Sequence, residues 1–502
     1  MSEDAAPVNH FITQQGEKKD AMNTEQYDLI VENDFRSVLK APLSTFGIDV
    51  DNASYSNTRR FLNQGTMPPR DAVRVEELIN YFNYEYPQPE GEIPFTVNTE
   101  ISECPWNTSH KLVHIGLQGR QIPKENMPPT NLVFLLDVSG SMNEYNKLPL
   151  LKNAFKLLVK ELRAEDRVAI VVYAGASGVV LPSTPGSEKR AMRLAIDELQ
   201  AGGSTAGAEG IHLAYKIAEK NFIKEGNNRV ILATDGDFNV GQSSDSELVQ
   251  IIEEKREKGI SLSVFGFGTG NYKDSKMEKL ADNGNGNYAY IDNINEARKV
   301  LVNEITSTLY TIAKDVKLQV EFNPAHVKEY RLIGYENRLL NKEDFNDDKK
   351  DSGDLGAGHT VTALYEIIPS DSKEAITSNV DDLKYQDRSV KSSATNNPDL
   401  MTIKLRYKTP ESKTSELIEL TTRDPGLYLN QTSDNFRFSA AVAGFGMLLR
   451  DSKYKGNATF ESIEELAQGS KGPDLDGYRN EFLRLIEICK ALSADDEMTA
   501  EY

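Results

Sequence analysis

The sequence predicts a doubly wound, mostly parallel α/β layer inserted beside an antiparallel β-sandwich, with a helical segment at the C-terminal end. Three observations predict it. Between residues 128 and 314, short apolar runs alternate with amphipathic helical stretches, the pattern of a parallel sheet covered on both faces. From 315 to 425 the apolar positions switch to period two, as half-buried strands require. From 426 to 502 the spacing becomes helical again, first in the alanine- and glycine-rich NFRFSAAVAGFGMLLRDS, then in SIEELAQGS and DLDGYRNEFLRLIEICKAL.

Taken in order, residues 1–40 read as a flexible N-terminal tail and 41–127 as a flanking region of helix and strands. Pro68 and Pro69 precede a helix whose apolar face is Val73, Val75, Leu78, Ile79 and Phe82. Upstream, Asp49, Asp51, Asn52 and Ser54 form a cluster with three readings. A phosphatase nucleophile needs a strongly apolar strand just before it, and Ser44 to Ile48 is a poor one. A calcium loop needs glycine at its sixth place and glutamate at its twelfth, where Ser54 and Arg60 stand. The third reading, favoured here, is a turn that caps a helix running through Arg60 and Leu62. Residues 95–119, rich in β-branched side chains, give two strands available to pair with the sandwich, and Trp106 between them reads as a packing residue.

In the 128–314 block, the expected strands are 131–136, 168–174, 229–234, 260–267 and 286–291. Between them come helices at 147–163, 187–199 (opened by Ser187), 207–222, 248–258 and 277–282, and a long final helix covers 294–313. The sandwich strands follow at 315–322, 329–335, 359–368, 400–407 and 414–421, with solvated connections at 341–359 and 370–398. No repeat of 20–50 residues is present.

A chain of 502 residues implies roughly two to four domains. Its 57 basic and 77 acidic residues leave a net charge of −20, which argues against a nucleic-acid binder and against anionic membrane surfaces. Two cysteines, Cys104 and Cys489, exclude a disulfide framework and a multi-cysteine zinc site. Cys489 lies on the apolar stripe Tyr478, Phe482, Leu485, Ile486 and Leu492, so a buried small hydrophobe is expected there, and the spacing leaves its pairing with Cys104 open. The six histidines, at 10, 110, 114, 212, 326 and 359, form no metal-spaced cluster. No run of ~18 apolar residues predicts a membrane span. The polar opening MSEDAAPVNHFITQQGEKKDAMNTEQ lacks a secretory h-region, consistent with a cytosolic protein or a mature chain with an added Met1.

The candidate site begins at DVSGSM, directly behind the apolar run Asn131 to Leu136. Ligands of open α/β sheets bind outside the carboxyl ends of the strands. Asp137, Ser139 and Ser141 alternate with Val138 and Gly140, so a tight loop turns three hard oxygens toward one point, which suits a hard cation such as magnesium. Alone, such a run serves as readily to cap the next helix. Thr205, in the Gly202-Gly203-Ser204-Thr205 loop, and Asp235, after the strand Arg229 to Thr234, add two further oxygen ligands at the ends of neighbouring elements. Asp237 is nearer to a turn former than to a ligand. No histidine, lysine or cysteine falls within these loops as base or nucleophile, and neither GxGxxG nor GxxxxGK[ST] follows the 131–136 strand.

These five residues, Asp137, Ser139, Ser141, Thr205 and Asp235, resemble the metal-ion-dependent adhesion site (MIDAS) of the von Willebrand factor type A domain, and the resemblance covers the whole 128–314 block. PLSTFGIDVDNASYSNTRRFLNQG, PPRDAVRVEELINYF and the C-terminal portion resemble the flanks of a bacterial family of such proteins, typically exported or envelope-associated and often lipoproteins. The resemblance implies a divalent cation, magnesium first with manganese or calcium as alternatives. Asp137, Ser139 and Ser141 would ligate it directly, Thr205 and Asp235 directly or through water. One position then stays open for a Glu or Asp carboxylate of a partner protein. The expected function is therefore a non-enzymatic, metal-dependent adhesion module in the bacterial cell envelope, with a lipid anchor on the precursor. The alternatives are a structural scaffold of an envelope complex and a metal-dependent hydrolase. Motion of the final helix, 294–313, coupled to ligand engagement is a further implication of the resemblance.

Overall fold

The computed structural model describes residues 25, 27–48, 51–204, 207–236, 238, 245–269, 273–350, 352–374 and 390–500. Short strands β1 (Arg36–Ser37) and β2 (Leu43–Gly47) open the chain, followed by helices α1 (Ala53–Asn63) and α2 (Val75–Asn80) and the hairpin β3 (Phe95–Cys104)–β4 (Asn107–Gly119). The α/β block then runs β5 (Thr130–Asp137), α3 (Leu148–Glu161), β6 (Arg167–Tyr173), β7 (Ser177–Pro185), α4 (Lys189–Asp197), α5 (Gly207–Lys220), β8 (Asn227–Thr234), α6 (Asp245–Glu257), β9 (Ile260–Phe267), α7 (Asp274–Asn283), β10 (Tyr288–Ile291) and α8 (Ile294–Arg298). A π-helical turn (Lys299–Asn303) and α9 (Ile305–Leu309) close it.

All eight residues of β5 are buried. Leu132, Phe134 and Leu136 join one core with α3, α4 and the final helix, while Val133 and Leu135 join the other with α5 and α7. A strand covered on both faces has no polar side to alternate with, which is why it reads as one apolar run. The sheet order is β10-β9-β8-β5-β6-β7, parallel except for β7. From β5 the chain runs outward through β6 and β7, then crosses back to β8 on the other side of β5 and outward again through β9 and β10. The crevice where such an order reverses is where open α/β sheets bind ligands.

Strands β11 (Thr311–Phe322), β12 (Val327–Ile333), β13 (Leu355–Gly356) and β14 (Thr360–Pro369) follow the block, then a single helical turn α10 (Ser392–Thr395), then β15 (Met401–Lys408) and β16 (Glu416–Thr422). One sheet runs β1-β12-β14-β4-β3, so the hairpin from before the block pairs with strands from after it. The other runs β13-β11-β15-β16, with β2 also on β11. Val113, Ile115 and Leu117 of the first sheet and Leu318, Val320 and Leu405 of the second share one core. Helices α11 (Asp434–Leu449), α12 (Phe460–Gln468) and α13 (Tyr478–Ala500) pack with α1 and α2 in a further core. Trp106 and Cys489 are buried there, and both cysteines are free.

The expected elements need correction in several places, first in the tail expected over 1–40, where Arg36–Ser37 pair with β12 and Phe35 and Val38 are buried. The helix expected over 294–313 stops at Leu309 and is broken by the π turn, because Thr311, Ile312 and Ala313 are already strand. β7 has no counterpart in the sequence reading; it is an edge strand carrying Pro182 and Pro185, where proline is tolerated and apolar alternation is weak. The segment set aside as a poor strand, 44–48, lies largely within β2, held by the ladder from Phe46 to Leu318 and its neighbours. The helix expected to open at Ser187 has Glu188 as its N-cap residue and no side-chain cap. Nor is 341–359 wholly solvated, since Phe345 is buried and Leu355–Gly356 pair with β11.

Asp51 precedes α1 but does not cap it. Its Oδ1 accepts from the backbone N–H of Tyr288 at 3.0 Å, and its Oδ2 pairs with Arg338 at 3.2 Å. The flanking region thereby grips the edge of the α/β sheet. Asp49 lies outside the described residues. The block also leaves and re-enters the frame at one corner, where the Tyr310 hydroxyl donates to Pro128 O at 3.0 Å and lies 2.8 Å from Thr130 Oγ1.

Candidate metal centre

At the carboxyl end of β5 the apolar strand gives way to Asp137, and the backbone turns at once. Val138 N–H donates to Tyr173 O at 3.1 Å, and Gly140–Asn143 form a short 3₁₀ turn. Two backbone hydrogen bonds tie this loop to the glycine loop after α4: Gly140 N–H to Gly203 O (3.0 Å) and Gly202 N–H to Val138 O (2.8 Å). Gly203 sits at φ 83°, a left-handed backbone that glycine adopts without strain.

Asp137 is fully buried. Its Oδ1 accepts from Ser139 N–H at 2.9 Å, while its Oδ2 accepts from the Tyr173 hydroxyl at 3.1 Å and from Thr234 Oγ1 at 3.2 Å. Burial pushes its carboxyl above the usual carboxylate range and Asp235 adds to this, against hydrogen bonds from Ser139 and Tyr173. A carboxylate so placed gains from a nearby cation. Ser139 Oγ lies 3.0 Å from Ser141 Oγ. The two hydroxyls share a hydrogen bond at this distance, and because adjacent oxygens of a magnesium octahedron with ~2.05 Å bonds stand about 2.9 Å apart, a cation could take the pair over without moving them far. Ser139 is buried and Ser141 exposed, which leaves one side of the loop open to solvent. The donor set of carboxylate and hydroxyl oxygens is that of a hard cation, and the residues fit it.

Asp235 follows β8 and is 3% exposed. It accepts at Oδ2 from Lys147 Nζ at 3.1 Å, and the same ammonium donates to Ser141 O at 3.1 Å. Thus Asp137, Ser139, Ser141 and Asp235 meet at one end of the sheet. Thr205 and Asp237 lie outside the described residues, directly after Ser204 and Gly236 in the sequence. Among the described residues no group of three or more His, Cys, Asp or Glu side chains could hold a metal ion; here only two carboxylates, Asp137 and Asp235, come together, beside hydroxyls.

Comparison with known proteins assigns the chain to a family. The chain is 45% identical over 477 residues to the Escherichia coli protein YfbK, covering 94% of this chain and 82% of that one. The chain belongs to the YfbK family. The profile of the von Willebrand factor type A domain matches residues 131–304, that of "von Willebrand factor" residues 21–114, and that of "Uncharacterized protein YfbK, C-terminal" residues 307–492. A Synechocystis protein, sll0103, is 27% identical over 191 residues, 38% of this chain and 44% of its own length. Among solved structures, a von Willebrand factor type A protein from Catenulispora acidiphila aligns over 78% of this chain and 90% of its own, with 17% identity and a TM-score of 0.40. The α/β block is thus a von Willebrand factor type A domain, a fold that typically serves as a protein-interaction module and often binds a divalent cation.

Three contributors to the site escaped the sequence reading. Tyr173 and Thr234 read only as strand residues, yet both hold Asp137. Lys147 read as the start of a helix, so the loops were expected to carry no lysine, but the fold brings its ammonium to them. A basic residue at the N-cap of a helix that follows an oxygen-rich loop was the available signal.

Proposed function

We propose that this protein is a metal-dependent adhesion module of the bacterial cell envelope. Asp137, Ser139 and Ser141 bind a divalent cation, magnesium first, with Thr205 and Asp235 completing the set. The open position takes a Glu or Asp carboxylate from a partner protein. The observation that carries the reading is the Ser139–Ser141 hydroxyl pair, 3.0 Å apart at the solvent edge, beside the buried carboxylate of Asp137. When bound, the cation supplies electrophilic attraction for an incoming anion. The protein's own part is to fix Asp137 with three hydrogen bonds and to keep the loop from collapsing. Tyr145, in the same connection and 86% exposed, offers a rigid aromatic anchor on the rim, the residue type enriched at interfaces.

The envelope location rests on the resemblance to exported relatives and is tested by fractionating the native bacterium. For the site itself, titration calorimetry with magnesium or manganese should give metal-dependent heat with the wild type and none with Asp137→Ala. A wild type without such heat would remove the adhesion reading. Capture of a partner that is released by chelator supports it, whereas Asp137-dependent turnover of phosphoesters or peptides would replace it with the hydrolase.

A further inference from the structure

We infer that Lys147 is a resident counter-ion that sets how tightly the centre holds its cation and how strongly the loaded centre attracts an anion; this rests on the metal reading above. Lys147 is 5% exposed, and its Nζ bridges Asp235 Oδ2 and Ser141 O, each at 3.1 Å, with Glu144 at 3.9 Å on the solvent side. It therefore joins the loop after β5 to the loop after β8, the two loops that supply the carboxylates.

The fold makes room for this side chain. Its stem lies over Gly268, just beyond β9 at φ 79°, where a Cβ would overlap Lys147 Cγ, Cδ and Cε. The Gly268 carbonyl is itself held by the Tyr290 hydroxyl at 2.7 Å. An ammonium buried beside a candidate ligand carboxylate costs desolvation that surface lysines avoid, and here two acceptors offset it.

The charge count gives the consequence. Asp137 and Asp235 together carry two negative charges, which would neutralise a divalent cation. Among the buried groups, Lys147 leaves the loaded centre a net single positive charge, since Glu144, 3.9 Å away, is 62% exposed and screened by solvent, and the ammonium competes with the metal for Asp235. Cation binding is weakened, and the remaining charge is satisfied by a partner's carboxylate. Metal and anion then bind cooperatively, each raising the other's affinity by the same factor.

The test is calorimetric titration of magnesium and manganese into the full chain, with and without acetate as the carboxylate probe. Lys147→Met and Lys147→Gln, the second keeping hydrogen-bond donors without charge, should bind the metal on the order of tenfold tighter or more than wild type. Lys147→Arg should stay near wild type. Acetate should tighten metal binding in the wild type and do so less in both neutral variants. If the neutral variants are folded by circular dichroism yet bind the metal no tighter, Lys147 does not set affinity, although the metal reading stands. If wild type and neutral variants all give no metal-dependent heat, the metal reading falls and this inference with it.

Discussion

Glu76 illustrates how one side chain can store a pH response in the frame around the α/β block. It is 2% exposed on α2, and its Oε2 has no hydrogen-bond partner among the described residues. Burial, then the charges of Glu336 and Glu77, push its carboxyl up from 4.5 to about 8. Because the folded value is raised, the folded state binds the proton more tightly than the unfolded one. Stability from this group is therefore full below about pH 4.5 and is lost as pH rises toward about 8. Glu76→Gln, which copies the neutral acid, should stabilise the protein by an amount that grows across that window and then levels, on the order of 2 kcal/mol at pH 8 and above. Urea unfolding at pH 5, 7 and 9 checks this; an increment that does not change with pH would contradict it. At the same scale, Asp137, Ser139 and Ser141 were legible because their spacing is local and chemically specific. Tyr173, Thr234 and Lys147 were not, because only the order of the strands brings them to Asp137 and Asp235.

The final helix of the α/β block shows what periodicity does and does not carry. Apolar spacing continues through 294–313, and nothing in the run itself says that the last three residues leave for a strand. The break follows from tertiary partners. Lys299, 1% exposed, pairs with Glu304 and lies 4.4 Å from the Tyr81 ring centroid, inside the π turn. Arg59 of α1, also 1% exposed, donates to Glu296 (2.7 Å), Glu481 (2.9 Å) and the Tyr81 hydroxyl (2.9 Å) and pairs with Asp292. One guanidinium thus ties α8 to α1, α2 and α13. Arg59→Met leaves buried carboxylates unpaired and should cost about 3–5 kcal/mol. Hydrogen exchange over 294–309 should rise more than over β5; equal protection in both would show that the clamp does not hold this helix. Edge elements were the other blind spot. β2 and β7 draw their order from a neighbouring ladder, whereas β5, buried on both faces, announced itself.

Across the whole molecule, the sandwich and the helical layer form a frame through which the chain passes before and after the α/β block. β4 and β11 lie in opposite sheets of that frame, so neither sheet is complete without chain from both sides of the insertion. Alternating apolar spacing revealed the sandwich, but the assignment of strands to sheets depends on pairings more than 200 residues apart, such as Leu112 with Glu366. Because Asp51, Arg59 and Arg338 tie block to frame, thermal unfolding should be a single transition. On the proposed metal site, magnesium at about a hundred times its Kd would add roughly 2.7 kcal/mol to the folded state, which should raise Tm by about 2–5 °C over chelator. Differential scanning calorimetry of wild type and Asp137→Ala checks both points; a shift that persists in the variant would place the cation elsewhere.

The Tyr310–Pro128 clasp has a mechanical consequence. With entry and exit of the α/β block held a hydrogen bond apart, the block hangs from the frame as a closed loop. Tension drawn along the polypeptide from either end crosses that corner and is shunted past the block while the clasp holds.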